Sequence, residues 1–108
     1  MAMSEQVFFI LTALVGEPRH GYGIVGEVAE LSEGRVKLKV GTLYGALDRL
    51  TAEGLVERDR EEVLQGRLRR YYRLTRSGAD AVATEAARQH ANAEAATARL
   101  RGWQARHA

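Results

Sequence analysis

The sequence predicts a mostly helical fold with a small β-hairpin, arranged as a winged helix-turn-helix followed by one long C-terminal helix. Three observations predict it. Apolar residues recur at helical spacing in three segments before Gly54, and two segments after Gly54 alternate as strands do. From Thr75 to about Arg106 the chain is rich in alanine and contains no proline, which favours a single long helix with Thr75 as its N-cap.

The first three helices are separated by turn and linker segments. Helix one is predicted over 4–15, and a turn over 16–19 separates it from helix two, which covers about 22–31 and which Gly34 ends. Residues 35–40 alternate basic and apolar side chains, as a brief strand or an extended linker would.

Helix three and the hairpin follow. Apolar residues at spacings of three, four and three predict the buried stripe of helix three, which Gly54 can close. The stripe consists of Val40, Leu43, Leu47 and Leu50. Residues 55–60 and 69–75 then predict two antiparallel strands. Alternation places one of Tyr71 and Tyr72 in the core without deciding which.

Composition narrows the class of protein. A chain of 108 residues has room for one domain with a modest core. The absence of cysteine excludes disulfides and thiolate metal sites and favours a reducing compartment, so a cytoplasmic protein is expected. The longest apolar run, 7–15, is too short to span a membrane and lacks the features of a signal peptide. We therefore expect no membrane partner and an N-terminus that belongs to the fold.

Positive charge is concentrated in the C-terminal part of the chain. Residues 1–66 contain seven Lys/Arg against eleven Asp/Glu, whereas residues 67–108 contain nine against three. Five arginines lie between Arg67 and Arg76, interleaved with the two tyrosines. Such a stripe suits a phosphate backbone, although a solvated strand edge protected by charge would have the same pattern.

Four segments, in this order and spacing, resemble the PadR family of bacterial transcriptional regulators. They are HGYGI (20–24), GTLYGALDRL (41–50), AEGLV (52–56) and GRLRRYYRLT (66–75). The resemblance covers about residues 5–80. It implies a DNA-binding winged helix-turn-helix over 1–75 and, as in the short subclass, a dimerisation helix over 76–108, together forming one structural unit. Gly45 and Leu68 stand where the family usually has proline. Neither departure removes a DNA-contacting donor, so local rigidity is affected more than function.

The resemblance implies that helix three enters the major groove of double-stranded DNA and that the wing reaches a phosphate or a narrow minor groove. The predicted DNA-binding residues are Tyr22, Lys37, Lys39, Gly41, Thr42, Tyr44, Gly45, Arg49, Arg67, Arg69 and Arg70. The glycines permit close approach of the backbone, the hydroxyls bind phosphates or base edges, and the cations attract phosphate.

Alternatives remain open for several of these residues. Tyr22 could instead pack under the wing, and the two lysines could be merely solvated. Arg49 could pair with Asp48, with Glu53 or with nothing. Arg73 and Arg76 lie further from the wing tip and could meet acidic residues of the N-terminal half.

The final helix has an a/d seam of mostly small residues. The seam consists of Val82, Ala86, Gln89, Ala93, Ala96, Leu100 and Trp103. At ~1.5 Å per residue the helix is roughly 45 Å long, more than one domain can cover, which favours a homodimer. Since small residues bury little surface, Phe8, Phe9 and Ile10 of a partner's first helix are expected to complete the interface. Packing of the seam against the chain's own first helix is the alternative.

The function predicted is that of a PadR-like transcriptional repressor that binds an inverted-repeat operator as a homodimer, with its recognition helices one DNA turn, ~34 Å, apart. A winged-helix protein-interaction module without specific DNA binding is the alternative. We expect no enzyme, no cofactor and no metal, because catalytic constellations are lacking and the three histidines are scattered.

Some short members of the family bind flat aromatic compounds between tryptophans near the middle of the final helix. Gln89 stands at the corresponding position in this chain. The resemblance therefore leaves a small-molecule effector possible but does not identify one.

Overall fold

The computed structural model describes residues 3–108, and its winged helix-turn-helix with a long final helix confirms the predicted fold class. The described helices are α1 (Glu5–Ala13), α2 (Gly21–Leu31), α3 (Val40–Ala52) and α4 (Arg76–Arg106), and the strands are β1 (Arg19–His20), β2 (Val56–Leu64) and β3 (Arg67–Leu74). All four predicted helices are present. Met1 and Ala2, which the predicted DNA-binding segment includes, lie outside the described residues.

The core lies between the first three helices and the base of the sheet. Its buried apolar residues include Ile10, Leu11, Leu14, Ile24, Val28, Leu43, Leu47, Leu50, Val56 and Tyr72. The predicted inclusion of Val40 was wrong, because this side chain, on the first residue of α3, is 43% exposed. Ala46, one helical turn before Leu50, is buried among the stripe residues instead.

The segment before α3 is an extended linker and forms no strand. Val36 and Leu38 are buried, whereas Lys37 and Lys39 are exposed, as the alternation predicted. The Ser32 hydroxyl accepts a hydrogen bond from the Val36 amide at 2.9 Å, which anchors the start of the linker. The linker therefore delivers its two lysines to the surface beside the N-terminus of α3.

The sheet has the order β1-β3-β2, and β1 was missed by the sequence prediction. Arg19 and His20 pair with Tyr72 and Tyr71 of β3 in antiparallel register. Two residues are too few to show a period of two, so only the pairing reveals this strand. Of the two tyrosines on β3, Tyr72 is the core residue, since it is buried whereas Tyr71 is only half-buried.

The β2–β3 hairpin, which we call the wing, is longer than predicted. Gln65 and Gly66 form its turn with positive φ angles of 53° and 76°, as a two-residue type I′ turn requires. The pairing continues from this turn to Val56 opposite Leu74. Few residues of the outer wing are buried, which is why hydrophobic alternation did not predict its full length.

Helix α4 packs on the domain only through its first turns. Thr75 caps it by accepting a hydrogen bond from the Gly78 amide at 3.0 Å, and the same hydroxyl donates to the Gly54 carbonyl at 2.6 Å. From residue 86 onward every residue except the half-buried Gly102 is exposed, and the protomer is 63 Å long. Among the described residues, no helix has the length and apolar character needed to cross a membrane.

Candidate nucleic-acid interface

The N-terminal half of α3 presents one face to solvent. Gly41, Thr42, Tyr44 and Gly45 are exposed, while Leu43, Ala46 and Leu47 on the other face are buried. The N-cap, Lys39, makes no side-chain hydrogen bond to the helix. Within residues 3–108 the N-cap side chain therefore leaves the first-turn N–H groups of α3 uncapped, and such groups attract anions.

A cleft of about 100 Å³ separates the wing from α2 and α3. It is lined by His20, Gly21, Tyr22, Tyr44, Arg67, Leu68, Arg69 and Arg70. The cleft brings together two predicted tyrosines and all three predicted wing arginines, which lie far apart in sequence. Lys37, Lys39 and Arg49 are exposed but do not line it.

The two tyrosines are arranged differently. Tyr22 is 65% exposed, so the alternative that it packs under the wing was wrong. Tyr44 lies against the start of α2, where a Cβ atom built on Gly21 would be only 2.6 Å from the Tyr44 hydroxyl oxygen. Glycine at this position therefore allows α3 and the N-terminus of α2 to approach each other.

Most arginines near the base and middle of the wing are neutralised by carboxylates. Arg73 lies 2.8 Å from Glu57 and 3.1 Å from Asp59, measured between side-chain nitrogen and oxygen atoms. Arg70, a predicted DNA-binding residue, lies 3.4 Å from Glu61. These pairs leave less free positive charge on the wing than the sequence indicated.

Other arginines on and beside the wing differ in whether they have a carboxylate partner. Arg76 pairs with Asp80 of its own helix, so the expectation that it meets the N-terminal half was wrong, whereas it was correct for Arg73. Arg67, beside the wing turn, and Arg49 on α3 have no carboxylate within ion-pair distance among residues 3–108. Arg58 on β2 and Arg69 on β3 likewise have no carboxylate within that distance among these residues, so unneutralised charge lies along the wing as well as at its tip and on α3.

His20 was not predicted as a site residue, yet it contacts both α2 and the wing. Its Nδ1 accepts a 3.4 Å hydrogen bond from the Gly23 amide, and its Nε2 lies 3.3 Å from Nη1 of Arg69. The ring also packs edge-on against Tyr71. Burial, and then the charge of Arg69, lower the pKa of His20, while Glu62 opposes them. The sequence signal that could have identified His20 as a site residue is its position directly before a glycine that begins a helix.

The predicted dimer seam is exposed along most of α4. Val82 packs against the core, so the alternative of an intramolecular seam applies to that residue, but Ala86 to Trp103 of the seam are exposed. Leu100 and Trp103 are 54% and 52% exposed. Phe8 and Phe9 are half-buried, whereas Ile10 is fully buried in its own protomer. The expected contribution of Ile10 to a partner was therefore wrong.

A polar cluster occupies the middle of the seam. Glu85 is 5% exposed and accepts hydrogen bonds from Arg88 and, at 3.2 Å, from the Gln89 side-chain amide. These bonds, first that of Arg88, lower the pKa of the Glu85 carboxyl. Gln89, at the position where the resemblance implies a tryptophan, is therefore bound to its own helix. Within the described residues, no three His, Cys, Asp or Glu side chains are grouped as metal ligands would be.

Solved structures of similar fold come from several regulators. A PadR-like transcription factor from Bacteroides fragilis is 30% identical, with a TM-score of 0.70 over 84% of this chain and 85% of that one. A PadR family regulator from Clostridium difficile is 25% identical, with a TM-score of 0.70 over 90% and 99%. Bacillus subtilis PadR in complex with operator DNA is 25% identical, with a TM-score of 0.63 over 72% and 45%.

Sequence comparison agrees with the fold. An uncharacterized protein from Lysinibacillus sphaericus is 32% identical over 69 residues, 64% of this chain, and the match spans 63% of that curated relative's length. The family model of PadR-like transcriptional regulators matches residues 10–84. The chain therefore belongs to the PadR-like family of transcriptional regulators.

Proposed function

We propose that this PadR-family protein is a homodimeric repressor that binds an inverted-repeat operator through α3 and the wing. In this proposal residues 1–75 bind DNA and residues 76–108 form the dimerisation helix of the same structural unit. α3 enters the major groove, and Arg67 and Arg69 contact the adjoining backbone or minor groove. A regulator of this kind acts on chromosomal DNA, so we place it in the cytoplasm of a bacterium.

One observation carries the proposal. Tyr44, from the exposed face of α3, meets Tyr22 of α2 and the arginine-bearing tip of the wing at one cleft. A phosphate backbone needs cations and hydroxyl donors in this arrangement, and base edges need an exposed helix face. The similar B. subtilis PadR was solved with operator DNA, which supports the same use of the fold here.

The homodimer is supported by the seam on α4. Leu100 and Trp103 are large apolar side chains that remain half exposed on a helix that extends away from its own domain. A second copy of α4, packed antiparallel or parallel on this seam, would bury them. Dimerisation would also present two α3 helices, as an inverted repeat requires.

A salt titration tests DNA binding. We expect the affinity for a mixed-sequence duplex to fall steeply between about 50 and about 200 mM salt, because bound cations release counterions from the phosphates. Replacing both Arg67 and Arg69 by alanine should weaken binding and reduce the slope of log affinity against log salt by about 2. Fluorescence anisotropy measures both quantities.

Arg73→Ala is the matched control for that experiment. Arg73 lies on the same strand but is already paired with Glu57 and Asp59, so its removal should change affinity and salt slope little. Equal losses from Arg73→Ala and from the double variant would contradict our assignment of the wing tip. No binding of the wild type even at low salt would instead favour the protein-interaction module.

Gly45→Ala separates stability from DNA binding. A Cβ atom at this position meets no atom within 4 Å, and alanine favours a helix interior by roughly 1 kcal/mol over glycine. We expect the variant to melt at a higher temperature and to bind DNA about as tightly as the wild type, because the larger proline that the family usually has at this position implies room for a methyl group. Calorimetry and anisotropy on the same sample measure the two effects, and a loss of DNA affinity would show that the protein needs the bare backbone of Gly45 for close approach to the groove.

A further inference from the structure

We propose that His20 is a positioning residue for Arg69, and that DNA replaces His20 as the partner of Arg69 while His20 takes up a proton. The inference rests on the proposed function, because it requires the cleft between the wing and α2 to face DNA. It adds one residue and one proton to the contact with DNA.

Both ring nitrogens of His20 face hydrogen-bond donors in the free protein. The Gly23 amide is 3.4 Å from Nδ1, and the guanidinium of Arg69 is 3.3 Å from Nε2. A neutral imidazole has one acceptor nitrogen, since the other bears the proton. Only one of the two contacts can therefore be a hydrogen bond at a time, and neither is short. The contact holds Arg69 at the cleft but is easily exchanged.

A DNA phosphate is a stronger partner for Arg69 than this ring nitrogen. A phosphate carries negative charge and can accept two parallel N–H bonds from a guanidinium, whereas the uncharged ring nitrogen offers a single lone pair. Arg69 and the unneutralised Arg67 line the same cleft, so a phosphate at its mouth meets two cations. Arg69 then donates its hydrogen bonds to the phosphate, and its positive charge moves away from His20.

Among the remaining neighbours of His20, the Glu62 carboxylate favours the charged ring, whereas the Gly23 amide, which donates to Nδ1, favours the neutral ring in the free protein and in the complex alike. The groups that face it are Arg69 and Tyr71 from β3, Glu62 from β2, the Gly23 amide from α2, and Tyr44 from α3 across the cleft. Burial, and after it the charge of Arg69, hold the pKa of His20 below its ordinary value, and Glu62 opposes them. Departure of the cation and arrival of phosphate both raise this pKa in the complex.

The sign of the pH dependence follows from that change. A group whose pKa is higher in the complex than in the free protein binds a proton on association at pH values between the two. Affinity for DNA should therefore increase as the pH falls from about 7.5 to about 6.0, and one proton permits at most a tenfold change per pH unit. We expect an increase of about fivefold that depends on His20.

The experiment compares the wild type with His20→Asn on a mixed-sequence duplex of about 30 base pairs, three helical turns. Asparagine keeps an N-cap acceptor for α2 but does not titrate. The fivefold increase should be lost in His20→Asn and kept in His90→Asn, a control on the exposed part of α4. NMR titration of the His20 ring in the wild type, free and DNA-bound, should give a higher pKa in the complex.

The outcomes are distinguishable. Equal pH dependence in the wild type and His20→Asn, or a His20 pKa that does not rise in the complex, would overturn the inference while leaving DNA binding intact. No binding of the wild type at any pH at low salt would overturn the proposed function, and this inference with it. The NMR measurement of the His20 pKa uses only the wild type, so it tests the inference even if His20→Asn folds poorly.

Discussion

Replacing Gly78 by alanine is expected to destabilise the protein by about 3 kcal/mol or to prevent folding, because an extra methyl cannot fit there. Gly78 lies in the first turn of α4 and is buried against the end of the α3–β2 connection. A Cβ atom would overlap the Leu55 carbonyl oxygen and lie 2.7 Å from a methyl carbon of Leu74. Because this oxygen belongs to the backbone, it cannot move aside as the end of a flexible side chain could.

The same site ties α4 to the rest of the domain. The Leu55 carbonyl also accepts a hydrogen bond from the Thr75 amide at 3.1 Å, so a shift that relieves the overlap would lengthen this bond. Thermal unfolding at fixed protein concentration measures the effect, and 1 kcal/mol corresponds to about 4–8 °C in a domain of this size.

Gly102→Ala is the matched control, in the same helix. Its added methyl would contact only the flexible end of Arg106, at 3.7 Å. Alanine should raise the helix stability there by up to about 1 kcal/mol. Two glycine-to-alanine changes in α4 should thus act in opposite directions, and similar melting temperatures for both variants would contradict the packing described for Gly78.

Replacing Leu100 and Trp103 together by glutamate is expected to convert the proposed homodimer to a monomer. Burial of a large apolar side chain contributes about 2 kcal/mol, and each residue occurs twice across a two-fold axis. The dissociation constant should rise by at least about a thousandfold, or about 4 kcal/mol. Light scattering at micromolar concentration should then give the mass of one chain in place of two.

A charge-matched control lies on the opposite face of α4. Ala98 and Ala105 occupy outward positions of the same heptads and are exposed, so two glutamates there should leave the mass of the dimer unchanged. Monomerisation by both pairs would show that charge alone, rather than the seam, controls assembly. An unchanged mass for the Leu100 and Trp103 variant would place the interface elsewhere.

The features that the sequence predicted correctly depend on residues that are close together in the chain. The buried stripe of α3 except for Val40, the glycine at the end of α3 and the Thr75 cap were correct, because each depends on residues within one or two helical turns. Strand β1 and the outer wing were missed because two-residue and mostly exposed strands have no hydrophobic alternation to detect.

The candidate site was only partly predictable. Composition and motif order indicated the wing arginines, but the number of unneutralised cations depends on which carboxylate of β2 faces which arginine of β3. The bulge between Arg58 and Glu61 contributes to that pairing, since it shifts the register by one residue and places the Arg60 guanidinium over the ring of Tyr71. No alternation pattern within β2 alone shows the position of this shift.

The sequence by itself determined the winged-helix class, the exposed N-terminal face of α3 and the long helix with a small-residue seam. Each follows from helical or strand periods, or from composition, which a chain segment shows on its own. The tertiary structure decided that Tyr72 rather than Tyr71 enters the core, that Gly21 makes room for Tyr44, and that His20 meets Arg69. These contacts join residues up to 49 positions apart, and burial and charge pairing between such residues are set only when the chain has folded.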